Sequence, residues 1–286
     1  MKGEHALRLL CAVLGVSRSG YYRWRAHRPS ARKRQDAELS AQIARAHRQG
    51  RGSYGAPRIV KELREAGTPI SQRRCARLMR ELGLKGKKRH ARKPRTTDSR
   101  HGQPVADNRL VQRPAPTGPN QIWVTDITYL RTGEGWLFVA AILDLWSRRV
   151  VGWACAVTLH AELVHAALRD AVHRRRPPPG LLLHSDRGSQ YVETGYLQAL
   201  AAAGIQRSMS RTGNCFDNAA MESFWSSYKT ESGLEDALPV TRRQAVLATF
   251  DYIETFYNPT RRHSSLGYLS PVAFENQYST KDIKAA

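Results

Sequence analysis

Three acidic residues give the clearest chemical signal in this sequence: Asp126, Asp186 and Glu222. Asp126 interrupts a β-like run, WVTDITYL; Asp186 ends an apolar run, LLLHSD; and Glu222 lies in a helix-like run, DNAAMESFWSSYK. Fifty-nine residues separate the first two and 35 separate the second and third. Carboxylates that converge from two strands and one helix can hold two divalent metal ions about 3.5–4 Å apart, which activate a hydroxyl and stabilise the departing oxygen at a phosphodiester. The pattern therefore predicts metal-dependent chemistry on a nucleic-acid backbone.

The positive charge of the chain is concentrated in its N-terminal part. The formal net charge is +22 and the pI is about 10.5. Residues 1–110 carry a net +20, whereas residues 111–286 carry a net +2. A positive field of this size typically neutralises phosphates with release of counterions. An arginine-rich genome would raise arginine along the whole chain, so it explains the asymmetry poorly. We expect a basic binding region followed by a nearly neutral globular one.

Composition excludes several classes of protein. No run of about 18 apolar residues is present, so no transmembrane helix is predicted. The apolar stretch at the N-terminus is too short and too charged for a signal peptide. The cysteines are far apart and form no CxxC pair, which excludes a zinc motif and a disulfide framework; they are Cys11, Cys75, Cys155 and Cys215. Reduced, buried thiols in a cytosolic protein are the expected state.

Two helix-turn-helix patterns lie in the basic region. The first covers residues 6–24, where Ser17 can cap the second of two short helices. A polar amphipathic helix at 30–48 follows. The second pattern joins a helix at 56–66 to a helix at 71–82 through a turn that contains glycine and proline. The N-terminal region is therefore predicted to be all-α.

The helix at 71–82 has two contrasting faces at 100° per residue. Arg73, Arg77 and Arg80 lie opposite its apolar face, and Arg74 is a further DNA-binding candidate beside them. Such a face is what a recognition helix presents to a major groove. An ordinary amphipathic helix with a solvated basic face is an equal alternative.

A strongly basic segment, residues 85–100, follows these helices with eight basic residues and one acid. It can be both a solvated linker and a flexible arm that tracks phosphates, with Lys87, Lys88 and Arg89 as predicted DNA contacts. The resulting domain prediction is a helical DNA-binding region at 1–90, a basic linker at 91–119, a catalytic core at 120–235, and a C-terminal helix and tail at 236–286.

The core has the pattern of an α/β fold. Strands and helices are predicted in the order βββαβαβα, at 121–130, 135–145, 148–157, 160–174, 181–185, 190–203, 205–208 and 217–230. Three strands joined by hairpins and followed by alternating units form a mixed sheet with helices on both faces, which is the ribonuclease H-like order. A further helix is predicted at 241–256, with a mostly irregular tail from Tyr257.

This order predicts where the carboxylates lie. Asp126 is in the middle of a strand, and Asp186 ends a strand, where open sheets place ligand sites. On the helix at 217–230, Asn218, Glu222 and Lys229 share a polar face that can meet the sheet edge. Lys229 could contact a DNA phosphate near the scissile bond, although a surface lysine would look the same.

Two nearby residues leave alternatives open. Asp144 is preferred as an ion-pair partner of Arg148 or Arg149, but it could be a fourth carboxylate of the site. His184 could orient Asp186 or DNA, and a packed strand histidine fits its pattern at least as well.

At these motifs the chain resembles a known family. VTDITYL, HSDRGSQY and DNAAMESFWSSYK, with 35 residues between Asp186 and Glu222, resemble the DDE transposases of the IS-three (IS3) group of bacterial insertion sequences. The cores of these enzymes are similar to retroviral integrase. LGVSRSGYYRWR, RGSYGAPRIVKEL and YNPTRRHSSLGYLSP match the same group, so the resemblance covers nearly the whole chain.

The resemblance implies a function. Asp126, Asp186 and Glu222 would bind two Mg²⁺ ions, which Mn²⁺ can replace, and Lys229 would contact DNA. Hydrolysis at an element end would free a 3′-OH that attacks another phosphodiester, first joining the element ends and then integrating them into target DNA. The resemblance also implies an oligomer of this chain on DNA, associated with the nucleoid in the bacterial cytoplasm. This chain would be the product of the second of two reading frames. The product of the upstream frame would be a separate partner or would be fused to it. A catalytically inactive DNA-binding regulator and a simple metal nuclease are the alternatives.

Overall fold

The computed structural model describes residues 6–26, 30–87, 106–210, 218–234 and 241–285. The chain divides into two compact units. The first comprises Met1–Gln49 with Gly55–Lys85, and the second comprises Gly50–Tyr54 with Gly86–Ala286. Across the described segments, no helix is long and apolar enough to cross a membrane.

The first unit is helical, as predicted. Its helices are α1 (Leu7–Val13), α2 (Arg18–Arg25), α3 (Ala31–Gln49), α4 (Ala56–Glu65) and α5 (Gln72–Glu81). The Ser71 hydroxyl accepts a hydrogen bond from the Arg74 backbone N–H at 3.2 Å and caps α5, because a serine oxygen can satisfy one of the unpaired amides of a first helical turn. Ile43, Ile59 and Leu78 are fully buried where α3, α4 and α5 meet.

The second unit is built on one mixed sheet. Its strands are β1 (Ile122–Thr132), β2 (Gly135–Asp144), β3 (Val150–Ala156), β4 (Leu182–Ser185) and β5 (Gln206–Met209). The spatial order is β3-β2-β1-β4-β5; β1, β2 and β3 pair antiparallel, and β4 pairs parallel with both β1 and β5. The predicted order βββαβαβα is confirmed.

Helices cover the sheet and continue after it. They are α6 (Ala161–Arg175), α7 (Thr194–Ala202), α8 (Ala219–Glu231), α9 (Arg242–Phe250) and α10 (Pro271–Ala285), with short 3-10 turns at Ser189–Tyr191 and Ser264–Leu266 and a π-helical segment at Asp251–Tyr257. The prediction of a mostly irregular tail is wrong because of α10. Pro271 opens this helix, where its missing N–H costs nothing, and Phe274 and Tyr278 pack their rings on Trp146 at 4.7 and 4.8 Å.

The core lies between the sheet and helices α6 and α7. Gly152 in β3 allows α6 to approach closely: a Cβ at this position would lie 2.5 Å from the Ala167 carbonyl oxygen and 2.6 Å from the Ala171 Cβ. Ala167 and Ala171 are the α6 residues at this contact, so small residues on both elements produce the close approach.

A buried ion pair ties the end of α8 to the segment before α10. The Arg261 guanidinium donates to both carboxylate oxygens of Glu231, at 2.5 and 2.7 Å, and to the Ser227 hydroxyl at 3.0 Å. The Tyr252 hydroxyl donates to Glu231 at 3.0 Å. Burying charges is costly unless they are paired and hydrogen-bonded, and here each charged group has several partners.

Candidate active site

Asp126 lies in β1, and Asp186 comes directly after the neighbouring strand β4. β1 and β4 are parallel, and the last pair in their register is Val124 with His184. Asp126 and Asp186 each follow that pair by two residues, so the chain brings both carboxylates to the same end of the two strands. Adjacent strands are about 4.8 Å apart. Asp186 follows the last residue of β4 and accepts a hydrogen bond from the Gly188 N–H at 2.9 Å.

Glu222 lies in the first turn of α8, and its side chain is exposed. α8 contacts β1, and its buried side chains include Met221, Phe224 and Trp225. Glu222 is thus on the solvent-facing side of a helix that contacts the strand carrying Asp126.

The three carboxylates interact electrostatically. Burial raises the pKa of Asp126 to about 8, and the charges of Asp186 and Glu222 contribute to the rise. The Ile127 backbone N–H and the Trp225 indole oppose the rise in this pKa, although the indole nitrogen does not reach hydrogen-bonding geometry. Desolvation and like charge both disfavour an ionised carboxyl, so Asp126 lies in an environment that favours a nearby cation.

The donor set suits a hard divalent ion. Carboxylate oxygens are the ligands that Mg²⁺ and Mn²⁺ prefer in proteins. Within the described ranges, no three His, Cys, Asp or Glu side chains are close enough to hold a metal as they stand. The charges of Asp186 and Glu222 both act on Asp126, and Glu222 is the exposed member of the three.

Tyr191 is a residue of the site that was not predicted from the sequence. Its side chain is buried, and burial together with the charges of Asp186 and Asp126 raises its pKa well above the ordinary value. The phenol is therefore neutral. The sequence feature that could have identified Tyr191 is its position in HSDRGSQY, five residues after Asp186.

Asn218 and Lys229 occupy the two ends of the polar face of α8. The Asn218 side-chain N–H donates to the Thr125 carbonyl oxygen at 3.4 Å, next to Asp126 in β1. Its buried Oδ1 has no hydrogen-bond partner in the described part of the chain. The Lys229 ammonium lies 5.3 Å from the centre of the Tyr129 ring.

Asp144 and His184 have structural partners. Asp144 accepts hydrogen bonds from the backbone N–H groups of Asn120 at 2.7 Å and of Trp146 and Ser147 at 3.0 Å. The preferred pairing of Asp144 with Arg148 or Arg149 is therefore wrong, because the carboxylate organises the β2–β3 turn through its backbone instead.

His184 is fully buried between two serine hydroxyls, with Ser208 at 2.9 Å and Ser210 at 3.0 Å from its ring nitrogens. It is a packed strand histidine that joins β4 to β5, the second of the two alternatives.

The predicted DNA-binding arginines fall into two groups. Arg73 and Arg80 are exposed on α5. Arg74 and Arg77 both bind Asp36 of α3, at 2.6 and 2.7 Å, and their hydrogen bonds hold the pKa of that carboxyl below its usual value. Two of the four arginines of α5 are therefore paired with Asp36, and the other two are exposed to solvent.

The basic segment after α5 is described only at its start. The Lys87 ammonium donates to the Thr230 carbonyl oxygen at 3.1 Å. Lys88 and Arg89 lie outside the described residues.

Comparison with known proteins places the chain in a family. A family model described as "Integrase core domain" matches residues 116–215, a second of the same description matches 203–271, and an "HTH-like domain" matches 33–92. Transposase InsF for insertion sequence IS3A of Escherichia coli K12 is 40% identical over 278 residues, 96% of each chain. The chain belongs to the IS3 family of insertion-sequence transposases. The predicted resemblance is confirmed, and the protein is a DDE-type polynucleotidyl transferase that acts on DNA.

Two further proteins are similar to this transposase. The insertion element IS600 uncharacterized 31 kDa protein of Shigella sonnei is 48% identical over 269 residues, which cover 94% of this chain and 98% of that protein. Among solved structures, the HTLV-2 integrase catalytic core domain in complex with magnesium aligns at 16% identity and a TM-score of 0.43, over 56% of this chain and 98% of that one.

Proposed function

We propose that Asp126, Asp186 and Glu222 bind two Mg²⁺ ions with which this transposase cuts and joins DNA at the ends of its element. The observation that supports this most directly is the parallel pairing of Val124 with His184, since Asp126 and Asp186 each come two residues after this pair. The rise in the pKa of Asp126, to which the other two carboxylates contribute, supports the same grouping. Mn²⁺ would substitute, since the ligands are oxygen atoms.

The reaction has two steps on the phosphodiester backbone. In the first, a water oxygen bonds to phosphorus at the element end and the bond to the 3′ oxygen breaks. In the second, the freed 3′-OH attacks a phosphodiester of the target, whose own 3′ oxygen leaves. No high-energy cofactor is needed, because one phosphodiester replaces another. Bound metal ions supply activation of the attacking oxygen and stabilisation of the leaving one.

Side chains of the core would position the metal ions and the DNA for this reaction. Asp126 and Asp186 on the rigid sheet supply fixed negative charge, and Glu222 reaches them from α8. Neutral Tyr191 fills the space beside the aspartates without adding charge. Lys229, on the Glu222 face of α8, offers a cation to a DNA phosphate, and the Asn218 amide holds the start of α8 against β1.

DNA binding extends to the N-terminal part of the chain. The domains are a helical DNA-binding region at 1–90, a basic linker at 91–119, the catalytic core at 120–235 and a C-terminal part at 236–286. Arg73 and Arg80 would contact DNA from α5, and the basic segment that includes Lys88 and Arg89 would track phosphates. The active form would be an oligomer of this chain on the element ends, with an upstream-frame product as a further partner, in the bacterial cytoplasm.

A strand-joining assay tests the proposal. A labelled duplex carrying the terminal repeat of the element would be incubated with the transposase and Mg²⁺ or EDTA. Joining should require the metal and should fall at least about 100-fold in Asp126→Asn and Glu222→Gln, because removing one charged group of a preorganised site costs on the order of 10²–10³ in rate.

Glu162→Gln is the matched control. Glu162 is an exposed carboxylate at the start of α6 and pairs only at the surface with Arg169, so its loss should leave joining unchanged. Full joining by Glu222→Gln would remove Glu222 from the site. Cleavage without joining by the wild-type chain would favour a nuclease, and binding without either would favour an inactive regulator.

A further inference from the structure

Two aromatic side chains form an exposed pair at the β1–β2 hairpin. Tyr129 of β1 and Trp136 of β2 meet edge to face, with ring centres 5.1 Å apart and planes at 88°. Trp136 is 49% exposed. A half-exposed tryptophan held rigidly by a second ring is a surface that could receive another flat π-system.

Cationic groups surround this pair. The Lys229 ammonium lies over the Tyr129 ring at 5.3 Å, and exposed Arg131 is directly opposite Trp136 in the strand register. The Arg242 guanidinium donates to the Trp136 carbonyl oxygen at 3.2 Å. Aromatic rings flanked by lysine and arginine are the combination that binds single-stranded nucleic acid, in which rings stack on bases and cations hold phosphates.

Lys229 links the aromatic pair to the catalytic carboxylates. Tyr129 is three residues beyond Asp126, about 10 Å along the strand, and this odd spacing places the two side chains on opposite faces of β1. Lys229 is seven residues beyond Glu222 on the same helix face, about 10.5 Å along the axis. One strand of duplex DNA advances about 3.4 Å per nucleotide, so the pair is about three nucleotides from a phosphate held at the carboxylates.

The neighbouring strand leaves this part of β1 uncovered. In the described part of the chain, β4 pairs with β1 at Ile122–Val124, and no strand lies beside Tyr129 on that side. α8 lies there instead and brings Lys229 over the ring. A DNA strand that follows the polar face of α8 from Glu222 to Lys229 would therefore reach the Tyr129 ring at this edge of β1.

We propose that Trp136, supported by Tyr129, is a stacking platform for one unpaired base of the DNA strand bound at the active site. This inference rests on the proposed role of the carboxylates. Extracting a base from the duplex costs free energy, and stacking on an aromatic ring offsets that cost without selecting a particular base. The platform would hold the strand bent away from its complement beside the scissile phosphate.

The test compares Trp136→Ala and Trp136→Phe with the wild-type transposase on terminal-repeat duplexes. One duplex is fully paired, and the others carry a single abasic nucleotide at one of the three positions on each side of the scissile phosphate. On paired DNA, Trp136→Ala should join about 10-fold more slowly, whereas Trp136→Phe should keep most of the activity. At one position, the abasic nucleotide should restore Trp136→Ala to within about threefold of wild type, because no base then has to be extracted.

Phe250→Ala is the matched control, since Phe250 is an aromatic residue of α9 with 50% exposure. It should show wild-type joining on every duplex. An equal defect of Trp136→Ala on paired and abasic DNA, or no defect at all, would overturn the platform.

A binding measurement separates failure of the platform from failure of the carboxylate assignment. The Glu222→Gln protein would be bound to duplexes with 2-aminopurine at the same positions, in EDTA. Fluorescence at one position should change on binding and lose that change when Trp136 is also replaced by Ala. If this signal is present while Glu222→Gln joins DNA normally, the platform stands and the carboxylate assignment fails. If the signal is absent while Glu222→Gln is inactive in joining, the platform fails and the carboxylate assignment stands.

Discussion

Replacing Arg261 with methionine should destabilise the second unit by about 3–5 kcal/mol, the usual cost of removing one partner from a buried ion pair. The side chains of Arg261 and Glu231 are 3% and 6% exposed, so solvent screens their interaction little. The substitution removes two charge-assisted hydrogen bonds from the Glu231 carboxylate. At about 1.5–3 kcal/mol each, their loss agrees with the range for the pair. Glu231 would keep only the Tyr252 hydroxyl among the partners described above.

Urea unfolding measures this cost. Tryptophan fluorescence reports the second unit because Trp225 lies in α8, and the midpoint should fall while the slope with urea stays the same. Replacing Arg261 and Glu231 together by methionine should be much less costly than the single change, since no buried charge is left unpaired. Arg169→Met breaks an exposed pair with Glu162 and should cost less than about 1 kcal/mol. The reasoning fails if Arg261→Met loses less than about 1 kcal/mol, or if the double variant is as unstable as the single one.

Three further outcomes are expected. Burial raises the pKa of Glu275, but hydrogen bonds from arginines outweigh it and hold this pKa below its usual value. The stabilisation is therefore present above the pKa of the unfolded chain and is lost as the pH falls through the lower pKa of the folded protein. Glu275→Gln should lower the melting temperature at pH 7 and reduce the fall of the melting temperature in acid. Replacing Arg73 and Arg80 by Ala should weaken DNA binding and reduce the salt slope by about 2; an unchanged slope would contradict their contact with phosphates. Gly152→Ala should lower the free energy of unfolding by at least about 1–3 kcal/mol, because the new Cβ overpacks against α6. In Gly55→Ala the new Cβ would be 3.8 Å from its nearest neighbour, so a thermal melt should give a nearly unchanged melting temperature.

The sheet could be predicted from sequence because its signals are local. Alternating side chains and short hairpin turns define β1, β2 and β3, and the βα order that follows restricts the topology to a few arrangements. The grouping of Asp126 and Asp186 followed from that order. Glu222 was expected at the sheet edge, and its exposure could not be read from periodicity alone.

Features that depend on distant partners were missed. α10 packs through two aromatic rings on Trp146, more than 120 residues earlier. Asp36 of α3 occupies Arg74 and Arg77 of α5, a pairing between helices that no spacing within α5 reveals. Asp144 was expected to bind an arginine because the sequence shows which side chains are charged. It does not show which backbone N–H groups are left to donate to a carboxylate, and these are the partners of Asp144.

The buried contact between Glu231 and Arg261 also has a consequence for the timing of synthesis. Arg261 is 39 residues beyond Glu222, and at about 5–20 residues per second the ribosome needs about 2–8 s to reach it. During that interval a nascent chain already contains all three carboxylates but lacks the group that fixes the end of α8. We expect the growing polypeptide to be inactive on DNA until Arg261 has been synthesised.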